Sequence, residues 1–175
     1  MPDMRAGDRI LLTGTVYTAR DAAHQKMMRI LDEGGQLPFP LEGSVIYYAG
    51  PTPGKNGMPV GACGPTTSGR MDAFTPRLLD MGLLAMIGKG ERSAEVKEAI
   101  VRNGAVYLCA VGGAGALIAR QIKKSEEIAF PELGCESVKR LEVEKLPLTV
   151  AIDSKGEDIF LLGRRRYGLK CGKEC

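Results

Sequence analysis

Apolar and polar positions along the chain sort most of it into short elements. Asp8 to Tyr17 (DRILLTGTVY) is rich in apolar and β-branched residues and predicts a strand through about Val16. Ala19 to Glu33 has helical composition: Met27, Met28, Ile30 and Leu31 give it an apolar side, and Gly34-Gly35 stops it. Beyond the proline-punctuated loop QLPFPLEG come a short strand, SVIYYAG, and a turn-rich run, PTPGKNGMPVGACG. Thr75-Pro76 reads as an N-cap followed by proline at the first helical position, opening a short helix that ends near Gly82. LLAMIG (83–88) has the unbroken apolar character of a buried strand. A helix is expected from about Ser93 to Arg102 with Gly104 as its stop, then a strand in AVYLCAVGG and a short helix in GALIARQIKK. EEIAFPEL reads as a strand, and LPLTVAID and EDIFLLG, separated by SKG, predict a β-hairpin.

Strands alternate with helices in the middle of the chain and gather at both ends. That order predicts an α/β fold: a single domain over residues 1–175 with mixed sheets and a helical layer, ending in a basic, mobile tail over 164–175. No internal repeat and no linker divides it.

Composition narrows the chemistry. At 175 residues the chain can bury a core of its own, and 44% hydrophobic with 26% charged residues is ordinary for a globular protein. A net charge of +3 with 5% aromatics argues against nucleic-acid binding. No apolar run reaches about 18 residues and the N-terminus lacks a signal peptide's apolar core, so no membrane role and a cytoplasmic location are expected. The cysteines Cys63, Cys109, Cys135, Cys171 and Cys175 are odd in number, which suits reduced thiols. His24 is the single histidine, so the chain alone cannot build a zinc site with two or three imidazoles. Only Cys171 and Cys175 form a close thiol pair, either incidental or a redox or metal site. A metal that takes part would then arrive on a partner.

Three segments carry candidate chemistry. In TARDAAH (18–24), Arg20 and His24 stand four apart at a strand-to-helix junction, with Asp21 in the first turn. Such junctions are where α/β proteins bind ligands; the plainer reading is a surface arginine and a histidine satisfied by a carbonyl. In GPTTSGRMD (64–72), two glycines permit close backbone approach, three hydroxyls follow one another, and Arg70 offers a planar fork that matches a carboxylate. Helix capping would explain one hydroxyl, not three, and a phosphate would fit nearly as well as a carboxylate. In IGKGERS (87–93), Lys89 lies between glycines after a buried strand, either solvated or a third cation on the same rim. Three cations, several hydroxyls and one imidazole describe a pocket for a small dianion with a proton-transfer group. Held among cations, the imidazole would stay neutral at pH 7. GGAGAL (112–117) reads as a tight turn between strand and helix.

Together, TGTVYTARDAAH, GPTTSGRMD, GKGERS and PELGCESV, spread over residues 13–138, resemble the β subunit, or C-terminal domain, of the class I iron–sulfur fumarate hydratases and the related L-tartrate dehydratases. The resemblance implies a swivelling β/β/α fold and a hydro-lyase half-enzyme, active only with an α subunit whose cysteines hold a 4Fe-4S cluster. The site would lie between the two parts. This chain would supply the substrate-binding residues Arg20, Thr66, Arg70 and Lys89, with His24 as active-site residue and Thr66 as a candidate proton abstractor. The partner's iron would draw off the departing hydroxide. GKGERS and PELGCESV favour the fumarate branch over the tartrate branch by resemblance. Two other classes stay open: a stand-alone anion-binding module on the same scaffold, and a thiol-redox or metal protein using Cys171 and Cys175.

Overall fold

A computed structural model of the chain describes residues 3–168. Six strands form one mixed sheet: β1 Arg9–Thr18, β2 Val45–Tyr47, β3 Ala85–Gly88, β4 Val106–Cys109, β5 Ile122–Ala129 and β6 Val138–Ile152. The α-helices are α1 Asp21–Asp32, α2 Thr75–Asp80, α3 Ala94–Asn103, α4 Gly115–Ala119 and α5 Ile159–Tyr167. Among the described residues no helix is long and apolar enough to cross a membrane.

Strands β1, β2, β3 and β4 pair in parallel in that order. The long β6 runs antiparallel to β4 and also to β1, so the pairing closes into a ring, and β5 adds to β6. Alternating side chains then face two cores. Val45, Tyr47, Ala85, Ile87, Val106 and Leu108 meet residues of β1 and β6 in one. Ile46, Met86 and Tyr107, their neighbours in sequence, pack in the other against α1, α2 and α3. Burial on both faces explains why these strands read as unbroken apolar runs. The parallel set has a consequence for function: β1, β2 and β3 all end on the same edge.

Several elements match their sequence signals. Ser93 caps α3 by accepting from the Val96 amide at 3.4 Å, and Gly104 closes it at φ 62°. Other expectations need correction. EDIFLLG is not the second limb of a hairpin. Asp158 caps Phe160 N at 2.8 Å and starts α5, which continues through Tyr167. Arg164 to Tyr167 are therefore helical, not tail, and Cys171 and Cys175 lie outside the described residues. Helix α4 stops at Ala119, and Ile122, Lys123 and Lys124 open β5. Phe130 adopts φ 58° and ends that strand before PEL, which enters the 3-10 turn Pro131–Glu136. VKRLEVEK, read as no element, is the first half of β6. Phe74 rather than Thr75 occupies the N-cap of α2. The sheets are a single sheet of six strands.

Candidate active site

The common edge of the parallel strands gathers the three segments. Arg20 follows β1 and takes the N-cap position of α1 with extended backbone, φ −115°. Lys89 directly follows β3. The GPTTS loop crosses between them: the Thr66 amide donates to the Tyr48 carbonyl beyond β2 at 2.7 Å, and the Ser68 amide to the Lys89 carbonyl at 2.9 Å. Ser68 Oγ accepts from the Lys89 amide at 3.1 Å and is hydrogen-bonded to the Tyr107 hydroxyl at 2.8 Å. This seat requires glycine at 88, where a Cβ would stand 2.0 Å from Ser68 Oγ.

Carboxylates tie the cations together. Asp21 Oδ1 accepts from Arg70 Nε at 2.9 Å, while its Oδ2 lies 3.9 Å from Arg20 Nη2. Glu136 Oε1 sits 3.1 Å from the same Arg20 nitrogen, and its Oε2 accepts from the Ala22 amide at 3.4 Å. Arg70 Nη1 reaches Thr66 Oγ1 at 3.5 Å, and Lys89 Nζ donates to Thr67 Oγ1 at 3.0 Å. Arg20, Thr66 and Arg70 thus form one connected group with Lys89 beside it. Asp21 takes Nε and Thr66 stands at Nη1, which leaves Nη2 of this half-exposed guanidinium without a protein partner among the described residues.

His24 stands apart from that rim. It is wholly buried, its ring stacked on Phe74 at 5.7 Å and edge-on to Tyr48 at 5.5 Å between centroids. Its Nδ1 lies 2.9 Å from the Arg20 carbonyl, which can only accept, so Nδ1 carries the proton and Nε2 is a bare lone pair with no partner. The link expected between Arg20 and His24 therefore runs through the arginine's backbone. Burial is the first cause that lowers the His24 pKa to about 4, outweighing the carbonyl hydrogen bond, with Arg92 adding a smaller push in the same direction. The imidazole is neutral at pH 7, but desolvation rather than surrounding cations is the main reason.

Sequence reasoning missed Glu136, counted Thr67 only among three hydroxyls without pairing it with Lys89, and took Asp21 only as a helix-start residue. Glu136 lay within a quoted segment, PELGCESV, but nothing local marks it as the partner of an arginine 116 positions earlier. Among the described residues, no group of three or more His, Cys, Asp or Glu side chains could hold a metal ion. Cys63, Cys109 and Cys135 are free thiols and do not fit an iron–sulfur cluster.

A six-stranded mixed sheet whose parallel strands end in clustered arginine, lysine and hydroxyl groups defines an α/β domain with a cationic rim. Residues 1–162 match the family model described as Fumarase C-terminus, and the chain belongs to that family. It is 43% identical to the anaerobic class I fumarate hydratase of Escherichia coli over 154 residues, 87% of this chain and 28% of that enzyme. Over 163 residues it is 39% identical to a putative L(+)-tartrate dehydratase subunit beta of Methanocaldococcus jannaschii, covering 90% of this chain and 84% of that subunit. The L(+)-tartrate dehydratase subunit beta of Escherichia coli is 33% identical over 172 residues, again with 84% of that subunit covered. The chain thus spans little more than a quarter of the fumarate hydratase it matches.

Proposed function

We propose that this chain is the β subunit of a class I fumarate hydratase, acting with an α subunit in the reversible hydration of fumarate to L-malate. The observation that carries the reading is the joining of Arg20 and Arg70 through Asp21, with Thr66 on Arg70 and Lys89 on the neighbouring Thr67. The outer edge of Arg70 would grip one substrate carboxylate, and Arg20 and Lys89 would neutralise the other. Removing a proton beside a carboxylate pushes negative charge onto its oxygens as an aci-carboxylate. Prepositioned guanidinium and ammonium groups stabilise that charge without reorganising.

Thr66 and His24 share the proton-transfer role unequally on this reading. Thr66 is half-buried beside Arg70, whose charge favours an alkoxide over an otherwise feebly basic hydroxyl. His24 reaches the rim only through the Arg20 carbonyl and would hold that backbone in place. The 4Fe-4S cluster would belong to the α subunit. The swivelling β/β/α arrangement and a cytoplasmic location complete the proposal. The 84% coverage of two L(+)-tartrate dehydratase β subunits supports a second reading, in which the acid is L-tartrate.

Anaerobic reconstitution with an iron-bearing α subunit tests both, following fumarate by its ultraviolet absorbance and L-tartrate by its loss. Fumarate turnover that vanishes in Arg70→Ala, with the complex intact, is expected. Unchanged kcat and KM in that variant would refute the site, and turnover of tartrate alone would select the second reading. Tight, selective binding of one anion by the chain alone, without turnover in the complex, would instead mark a binding module.

A further inference from the structure

Behind the rim lies an ion pair that the proposed chemistry does not use. The Arg92 side chain has no exposure at all, and Asp72 is 15% exposed. Arg92 Nε donates to Asp72 Oδ1 at 2.7 Å, Nη2 to Thr75 Oγ1 at 2.8 Å, and Nη1 contacts Met86 Sδ at 3.7 Å. The guanidinium also lies 5.4 Å from the Tyr48 ring centre and 5.0 Å from that of Tyr107. The second Asp72 oxygen accepts from the Ser93 amide at 2.6 Å.

Burying two charges costs desolvation that their attraction only roughly repays, so stability is a poor explanation for this pair. Its position is a better one. Asp72 stands two residues after Arg70, at the end of the 3-10 turn Ser68–Met71. Arg92 stands three residues after Lys89. Each partner therefore terminates one arm of the cationic rim, and their bond joins the arms from behind. Tyr107 makes a second clasp between the same arms, its hydroxyl donating to the Gly90 carbonyl at 2.9 Å and hydrogen-bonded to the Ser68 hydroxyl at 2.8 Å.

We propose that Arg92 and Asp72 are positioning residues: their buried pair fixes the spacing between the Thr66–Arg70 loop and Lys89, and through it the grip on a dicarboxylate. The inference rests on the dicarboxylate reading for its consequence, but the positioning itself is measurable without turnover. The fixed fork of Arg92 matters, since it faces an aspartate, a threonine and two rings at once, which a lysine's single ammonium cannot do.

Backbone amide hydrogen exchange of the full chain tests the positioning. In Arg92→Met and, as the milder change, Asp72→Asn, the amides of Ser68 and Lys89 should exchange at least about tenfold faster. The Val150 amide, which donates to the Asp8 carbonyl outside both arms, should keep its rate. In the reconstituted complex, Arg92→Met should lower kcat/KM for fumarate at least about tenfold with Lys89 present and have little further effect in a Lys89→Ala background. Exchange that is unchanged in a folded variant, or that rises equally at Val150, overturns the proposal. So does a loss of kcat/KM that is undiminished when Lys89 is absent. Should Arg92→Met fail to fold, Asp72→Asn decides by the same criteria. If the wild-type complex hydrates nothing, the hydratase reading fails by itself and exchange still decides the positioning.

Discussion

Acidification should destabilise this chain through His24 more than through any ordinary histidine. The folded pKa is lowered to about 4 from 6.5, chiefly by burial. Between those values the unfolded chain binds more protons than the folded one, so stability rises with pH there. His24's contribution is fully present above 6.5, is lost as pH falls, and is exhausted near pH 4. Integrated over that window the loss is about 3 kcal/mol. Carboxylates titrate in the same range, so the comparison must be with a variant in which they remain: His24→Asn keeps a donor for the Arg20 carbonyl and cannot titrate. Urea unfolding followed by far-ultraviolet circular dichroism, at steps from pH 7 down to 4, measures both proteins. Relative to the variant, the wild-type midpoint should fall by roughly 1 to 2 M across the window. Parallel pH dependences would refute the reasoning, because they would mean that the imidazole is solvated or paired when protonated.

Other outcomes follow from the same geometry. Gly88→Ala should cost about 1–3 kcal/mol in a thermal melt, since its Cβ would meet Ser68 Oγ at 2.0 Å and the Tyr48 ring at 3.0 Å. It should also raise KM by unseating Lys89. Asp158→Ala removes the cap of α5 and leaves Lys97, 2.5 Å from the carboxylate, without its partner; a loss of about 1–3 kcal/mol and faster amide exchange at Phe160 are expected. By contrast, Arg102→Ala breaks a fork on Asp80 in which both side chains are about half exposed, and should change stability by less than about 1 kcal/mol. Replacing Cys171 and Cys175 together with serine should leave hydration unchanged; lost activity would point to thiol chemistry.

What the chain wrote locally was legible. Apolar runs marked β1 to β4, and Ser93 with Gly104 bounded α3 because a cap and a left-handed stop are short-range events. EDIFLLG misled because four consecutive apolar residues carry no period. Asp158 decided for helix once its other oxygen met Lys97, 61 positions away. The first half of β6 was invisible because alternating charges there suit a strand only with β1 and β5 on either side.

The site divides in the same way. Residue type offered Arg20, Arg70, Lys89 and the three hydroxyls Thr66, Thr67 and Ser68 as candidates beside plainer readings, and the family resemblance singled out Thr66 among the hydroxyls. That they meet depended on parallel pairing, which brings three strand ends to one edge. Only the closed sheet could set Asp21 between two arginines, put Glu136 on Arg20 and sink His24 out of water. Propensity acts over a few neighbouring residues, whereas ion pairing and desolvation depend on which distant segments the register of the strands brings together.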